Sequence, residues 1–299
     1  MKILVTGANG LLGQKLVALL LAQPEVELLA TARGANRLAA YFPALRYRPL
    51  DVTDAAQVQQ VLAEEQPAHV IHTAAMTQVD DCELHPDACW RQNVTAVEHL
   101  AAACVALGSH LIHLSTDFIF NGLEGPLAED AVPDPLSHYG RSKLAAERVV
   151  QATPGLRWVI ARTVLVYGTV LGGGRSNLVQ WVRSSLSKGQ EISVVDDQYR
   201  TPTLAEDLAQ GCYLLARHQA QGIYHLSGRE LLTPYQMARQ VAAYFNLNAS
   251  LLRRVNASTF TQPGRRPART GFLIAKAERE LGFRPHSFTE GIAVLAGQS

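Results

Sequence analysis

The sequence has no excess of charge of either sign. Its 299 residues include 27 Lys and Arg against 26 Asp and Glu, so the chain carries no overall field that would attract nucleic acid or an anionic membrane. Long hydrophobic runs are lacking too. Residues 16–22, one of the longest, fall far short of the roughly 20 apolar residues that a membrane-spanning helix needs. We therefore expect neither a nucleic-acid partner nor a membrane partner.

Cysteine is scarce and histidine is scattered. The four cysteines, Cys82, Cys89, Cys104 and Cys212, form no C-x-x-C pair and no grouping with histidine that is typical of a metal site. This predicts free thiols in a reducing compartment and no bound metal. The amino terminus runs directly into a strand pattern without a signal-peptide core, which indicates a cytoplasmic location.

The hydrophobic residues, 47% of the chain, are arranged in a regular alternation. Short aliphatic runs alternate with amphipathic stretches, which is typical of a doubly wound Rossmann-type α/β fold whose parallel sheet is covered by helices on both faces. The predicted strands are residues 2–6, 27–31, 69–72, 110–114 and 158–162, and the predicted helices are residues 11–22, 55–65, 86–107 and 137–151.

The pattern changes after residue 168. Helices predicted at 177–186, 204–218 and 234–245 mix with short strands at 191–195 and 222–226. We predict a dinucleotide-binding core over residues 1–168, to which some later segments return, and a small, mostly helical substrate-binding lobe over residues 169–299. This lobe is expected to cover the carboxyl edge of the sheet.

Three glycines follow the first predicted strand. Gly7 permits a tight turn, Gly10 lets the backbone approach a pyrophosphate, and Gly13 lets the next helix pack on the strand. The amino terminus of that helix offers free N–H groups and a positive dipole to phosphates. The pattern therefore predicts a nicotinamide dinucleotide site. The contacts predicted in this turn are Gly7, Asn9, Gly10, Leu11, Leu12 and Gly13.

The second predicted strand ends in Ala-Thr-Ala-Arg, without an acidic residue. An NAD-selective enzyme usually has a carboxylate here for the ribose 2′-hydroxyl. Arg33 can instead pair with a 2′-phosphate through charge-assisted hydrogen bonds. This favours NADPH as the cofactor and leaves NADH open.

A Y-x-x-x-K pair supplies the predicted chemistry. Tyr139 and Lys143 lie one helical turn apart on one face, and Thr116 follows a predicted strand. A free tyrosine has a pKa of about 10, and a nearby ammonium stabilises its phenolate, so that it can exchange a proton with a substrate oxygen. Lys143 can also hold the nicotinamide ribose, and the Thr116 hydroxyl can bind the same substrate oxygen.

The G-x-x-G-x-x-G spacing resembles that of the extended short-chain dehydrogenase/reductase superfamily. Further residues support the resemblance: Asp51 and Val52 resemble the pair that meets the adenine, Ala74 and Ala75 the small-residue loop beneath the ribose, and Asn93 the helical asparagine of these enzymes. The resemblance implies that these five residues lie in the cofactor site.

A narrower resemblance, from residue 1 to about 290, is to the dTDP-4-dehydrorhamnose reductases. It rests on the segment STDFIFNG at 115–122, on DDQYRTPT at 196–203, on YHL at 224–226 and on RPART at 266–270. It implies an NADPH-dependent reductase that acts on the 4-keto group of a nucleotide-linked deoxysugar, in dTDP-rhamnose biosynthesis. The substrate residues it implies are Thr116, Asp117, Tyr139, Leu165 and Arg266.

Two departures fall where the sugar would be recognised. Leu165 stands where the family usually has the tryptophan of its W-V-Y-G segment, and Arg200 stands in place of a glycine. Both put the identity of the sugar in question and leave the reaction type intact. An epimerase or dehydratase on the same scaffold stays open, as does a non-catalytic NADP-binding regulatory subunit, and so does a homodimer.

Overall fold

The computed structural model describes residues 1–173 and 177–298. Its strands are β1 (Lys2–Thr6), β2 (Glu27–Ala32), β3 (Tyr47–Pro49), β4 (His69–His72), β5 (His110–Thr116), β6 (Arg157–Thr163), β7 (Val166–Tyr167), β8 (Ile192–Val195), β9 (Thr203–Leu204), β10 (Gly222–His225) and β11 (Leu252–Val255). Seven of them form a parallel sheet in the order β10-β6-β5-β4-β1-β2-β3. The predicted doubly wound fold is confirmed.

Both faces of this sheet are buried, as the aliphatic strands predict. Alternate residues of β1 enter different cores: Ile3 and Val5 join one apolar cluster, whereas Leu4 joins the cluster on the opposite face. The side chains of a strand alternate between its two faces, so a strand that is apolar throughout needs a helical layer on each side.

The helices are α1 (Leu11–Leu21), α2 (Ala55–Glu65), α3 (Val79–Leu84), α4 (Pro86–Trp90), α5 (Ala96–Leu107), α6 (His138–Ala152), α7 (Leu178–Ser187), α8 (Ala205–Arg217), α9 (Pro234–Tyr244), α10 (Ala275–Leu281) and α11 (Phe288–Ala296). The helix predicted over 86–107 consists of α4 and α5 joined by a π-helical turn, Arg91–Thr95. Among the described residues, no helix is long and apolar enough to cross a membrane.

A third apolar cluster lies in the carboxy-terminal part of the chain, between α7, α9 and α11 and the short β8–β11 pair. Two later elements belong to the central layers instead: β10 pairs with β6, and α8 packs against α1. Parallel strands end at one edge of a sheet, where ligands of open α/β folds bind. The carboxy-terminal cluster borders a cavity at this edge, to which α9 contributes Met237 and α11 contributes Phe288.

Candidate active site

A cavity of about 1140 Å³ opens at the carboxyl ends of β1, β4, β5 and β6. Its wall combines the glycine turn, the loop after β4, the end of β5, the start of α6 and the segment that follows β6. Residues that line it include Gly7, Asn9, Gly10, Leu11, Leu12, Gly13, Arg37, Ala75, Thr116, Asp117, Tyr139, Lys143 and Leu165. Most of the predicted site residues thus meet around one cavity.

The glycine turn has the geometry that its sequence requires. Gly7 has φ +69°, and a β-carbon there would lie 2.7 Å from Thr73 Oγ1. A β-carbon at Gly13 would lie 2.2 Å from the Gly7 carbonyl oxygen, so only glycine lets α1 pack this closely on the turn. Gly10 is the N-cap of α1 and no side chain among the described residues caps this helix, so its first N–H groups face the cavity.

Asn9 holds the loop that follows β2. Its Nδ2 donates to the Ala35 carbonyl at 3.0 Å, and its Oδ1 accepts from the Arg37 backbone N–H at 3.1 Å. This bond brings Arg37 to the cavity wall, whereas Arg33 is exposed outside it. Arg37 could not be identified from the sequence, because the conformation of this loop decides which residue after β2 reaches the cavity.

The adenine pair implied by the resemblance lies beside the cavity and not in its wall. The Asp51 carboxylate accepts hydrogen bonds from the Thr53 backbone N–H at 2.9 Å and hydroxyl at 2.7 Å. Val52 is buried in the cluster that contains Leu50 and Val58. In the loop after β4, Ala75 lines the cavity and Ala74 packs behind it.

Asn93 lies on the π-helical turn and is 1% exposed. Its Oδ1 accepts from the Met76 N–H at 2.8 Å, and its Nδ2 donates to the Met76 carbonyl at 3.0 Å and to Ser142 Oγ at 3.0 Å. Asn93 therefore fixes the loop after β4 to α6, the helix that carries the Y-x-x-x-K pair, and it does not reach the cavity itself.

Tyr139 and Thr116 are adjacent at the cavity. The Tyr139 side chain is only 8% exposed. Burial raises the pKa of Tyr139 above its ordinary value, and the negative charge of Asp117 adds to the rise. The phenol therefore stays protonated at neutral pH and is available as a proton donor.

Lys143 is fully buried one turn further along α6. Its ammonium donates to the Leu114 carbonyl at 2.6 Å and to His113 Nε2 at 3.4 Å. Burial lowers the pKa of Lys143 to about 8. The ammonium is turned toward β5 in this arrangement, and the stabilisation of the Tyr139 phenolate by Lys143 stays a prediction.

Asp117 connects the site to the carboxy-terminal loops. It accepts hydrogen bonds from the hydroxyls of Thr116, at 3.2 Å, and Thr270, and its Oδ2 lies 3.8 Å from Arg200 Nε. Burial raises the pKa of Asp117, and the Arg200 charge opposes this. Arg200 is itself 5% exposed and donates to the Pro267 carbonyl at 2.6 Å. It therefore holds the loop at 266–270 and does not line the cavity.

Leu165 and Arg266 differ in how they relate to the cavity. Leu165 lines it, is 42% exposed and has a φ of +36°, so its apolar side chain is presented to a ligand. Arg266 lies outside the wall, where its guanidinium forms a two-bond ion pair with Asp80 at 2.8 and 3.0 Å. Arg266 thereby ties its loop to α3.

Four buried histidines in β4 and β5 were not identified from the sequence. His69 faces His110, and His72 faces His113, in register across β4 and β5. The signal was present as H-x-x-H in both strands, but only the strand register shows that the pairs meet. Among the described residues, no group of three or more His, Cys, Asp or Glu side chains could hold a metal ion.

The doubly wound sheet, the glycine turn at α1 and the Thr116, Tyr139 and Lys143 set define a Rossmann-type oxidoreductase of the short-chain dehydrogenase/reductase class. A narrower assignment follows from comparison with known proteins. The chain belongs to the family described as RmlD substrate binding domain, whose model matches residues 1–298.

Two curated relatives and one solved structure illustrate the family. The dTDP-4-keto-6-deoxy-D-glucose reductase of Streptomyces niveus is 34% identical over 94% of this chain and 91% of its own length. The methionine adenosyltransferase 2 subunit beta of Bos taurus is 31% identical over 86% and 76%. The dTDP-4-dehydrorhamnose reductase of Bacillus anthracis, solved in complex with NADP, is 28% identical with a TM-score of 0.83 and covers 100% and 99%.

Proposed function

We propose that this protein is an NADPH-dependent reductase of the 4-keto group of a nucleotide-linked deoxysugar. One observation carries the proposal: Thr116, Tyr139 and Lys143 converge on the cavity that the amino terminus of α1 borders. The similarity to reductases of dTDP-linked keto sugars, one of them solved with NADP, supports the same substrate class and cofactor.

The described residues fit a nicotinamide dinucleotide. The first turn of α1 offers free N–H groups to a pyrophosphate beside Gly10, and Arg37 gives the cavity a positive charge near the end of β2. A β-carbon at Gly7 or Gly13 would displace the turn that forms this cradle. Bound NADPH would supply a hydride to the keto carbon.

The protein's part in the reaction is to bind and protonate the keto oxygen. Tyr139, protonated because its pKa is raised, donates its hydroxyl proton to that oxygen, and Thr116 hydrogen-bonds to the same atom. Lys143 contributes a buried positive charge on the same helix face. Leu165, in the cavity wall, offers an apolar contact for the sugar ring.

Turnover of a panel of 4-keto nucleotide sugars, followed by NADPH absorbance, tests the proposal. We expect oxidation of NADPH that depends on a diphosphate sugar. NADPH binding without turnover or sugar binding anywhere in the panel would refute the reductase and favour a regulatory subunit, the second candidate, which the similarity to the adenosyltransferase subunit supports. Interconversion of sugars without net NADPH use would indicate an epimerase or dehydratase.

Cofactor preference is expected to depend on the two arginines after β2. Arg33→Ala, Arg37→Ala and the double variant should each narrow the preference for NADPH over NADH. A charge-assisted hydrogen bond to a phosphate is worth roughly 1.5–3 kcal/mol, or about ten- to a hundredfold in affinity. Calorimetric titration with both cofactors measures this. Equal affinities in the unmutated protein would contradict the assignment.

Arg266 is proposed to serve the substrate side through its loop. Arg266→Ala removes the ion pair to Asp80 and should raise the KM for a nucleotide sugar with no change in NADPH affinity. Asp80→Asn separates two mechanisms: a KM raised equally shows that the pair acts by holding the loop, and an unchanged KM shows that Arg266 meets the diphosphate directly. An unaltered KM in Arg266→Ala would remove the residue from the site.

A further inference from the structure

Two buried histidines lie behind the lysine of the site. His72 on β4 and His113 on β5 are paired in register, and their rings stack with centroids 5.6 Å apart. His113 is fully buried, and His72 Nδ1 lies 2.8 Å from Thr6 Oγ1 at the start of the glycine turn. The histidines therefore form a continuous line of side chains from that turn to α6.

His113 contacts the ammonium of Lys143 through a single ring nitrogen. Nε2 accepts from Nζ at 3.4 Å, so the ring hydrogen stands on Nδ1, which has no hydrogen-bond partner in the described part of the chain. Burial, followed by the nearby charge of Lys143, lowers the pKa of His113 well below its ordinary value. The imidazole is therefore neutral and can only accept from the ammonium.

We propose that His113 is a positioning residue for Lys143. The His113 ring holds the Lys143 ammonium in its charged form and in place beneath the cavity. The role in catalysis rests on the proposed reductase function. The ammonium has two acceptors. The Leu114 carbonyl is a backbone group that any residue would supply, whereas the Nε2 acceptor depends on histidine at position 113.

The groups that surround Lys143 show why a second acceptor matters. Burial lowers its pKa to about 8, and this is opposed by Glu147, a turn further along α6, and by Cys89 on α4. From β4, His72 faces the same space and is neutral, with a pKa lowered by burial to about 3. Tyr139 is protonated and contributes no charge. A hydrogen-bond acceptor stabilises the ammonium more than the neutral amine, so loss of the His113 acceptor should lower the pKa of Lys143 further.

Activity is expected to depend on pH near the pKa of Lys143. The ammonium is the form that the site uses, so activity should fall as the pH rises through this pKa. A variant without the His113 acceptor should lose activity in the same way but at a lower pH. A shift of about one pH unit corresponds to a tenfold loss of proton affinity.

The test is an NMR titration of the cofactor-free full chain labelled with ¹³C at the lysine ε-carbons. The chain has five lysines, so the spectrum is simple, and Lys143→Arg assigns the signal. We expect a midpoint near 8 in the unmutated protein. His113→Phe keeps the stacked ring and should lower the midpoint by about one unit. His113→Gln places an amide oxygen near the position of Nε2 and should restore it.

His110→Phe is the matched control, because His110 is buried on the same strand and contacts His69. It should leave the Lys143 midpoint unchanged. An unchanged midpoint in His113→Phe, or an equal fall in His113→Gln, would overturn the proposal. The alkaline limb of kcat should move with the midpoint in each variant. Failure of the proposed reductase function would be distinguishable. The unmutated protein would then show no turnover, while its Lys143 would still titrate as expected.

Discussion

Tyr139→Phe is expected to lower turnover by about 10²–10⁴-fold, the usual loss when a general acid is removed. The ring stays in its place against Phe118, with centroids 5.7 Å apart, so the cavity keeps its shape. The Thr116 hydroxyl cannot replace the phenol, because it has no comparably acidic proton. Steady-state kinetics with a substrate from the 4-keto panel measures the effect.

Tyr213→Phe provides the control. Tyr213 is also buried, and its hydroxyl donates to Glu25, which lies beyond the carboxyl end of α1 and outside the cavity wall. Its variant should reduce substrate at the normal rate. NADPH affinity should be the same in both variants. Normal turnover in Tyr139→Phe would show that another group protonates the keto oxygen.

Glu147→Ala is expected to destabilise the protein by about 3–5 kcal/mol, because it leaves a buried charge without its partner. The Glu147 carboxylate bonds to Arg162 at 2.7 and 3.0 Å, and both side chains are at most 3% exposed. Arg162 would keep the Glu129 carbonyl, at 3.1 Å, and the face of Phe120. Neither offsets a full positive charge. Urea unfolding followed by circular dichroism gives the free energy of unfolding.

The matched control is Glu278→Ala. Glu278 is also helical and pairs with Arg229 at 3.1 Å, but both side chains are well exposed, at 39% and 53%. Exposed pairs contribute about 0–1 kcal/mol, so this variant should unfold close to the unmutated protein. Equal losses in the two variants would show that burial does not decide the strength of the Glu147 pair.

Much of the fold could be predicted from local pattern. Strands apolar on both faces, separated by helices of 3.6-residue period, allow few arrangements other than a covered parallel sheet, and the predicted strand at 69–72 and helix at 55–65 match the structure residue for residue. Gly7 and Gly13 were predictable from their spacing after the first strand, although the close approach at Gly7 is to Thr73, far away in the chain, and only that at Gly13 is to the turn itself.

The sequence by itself therefore determined the sheet, the glycine turn and the spacing of Tyr139 and Lys143 on one helix face. Each of these depends on the local order of residue types along the chain.

Only the tertiary structure decided which distant groups meet, and this changed how several residues are understood. Arg200 and Arg266 both fall in segments where the sequence predicts substrate recognition, yet one is buried against the Pro267 carbonyl and the other is paired with Asp80. His113 looked like one histidine among ten, yet the register of β5 and the turn of α6 bring it to Lys143. A charge or a hydrogen-bonding group acts according to its partner, and partners 30 to 186 residues away are fixed only when the layers pack.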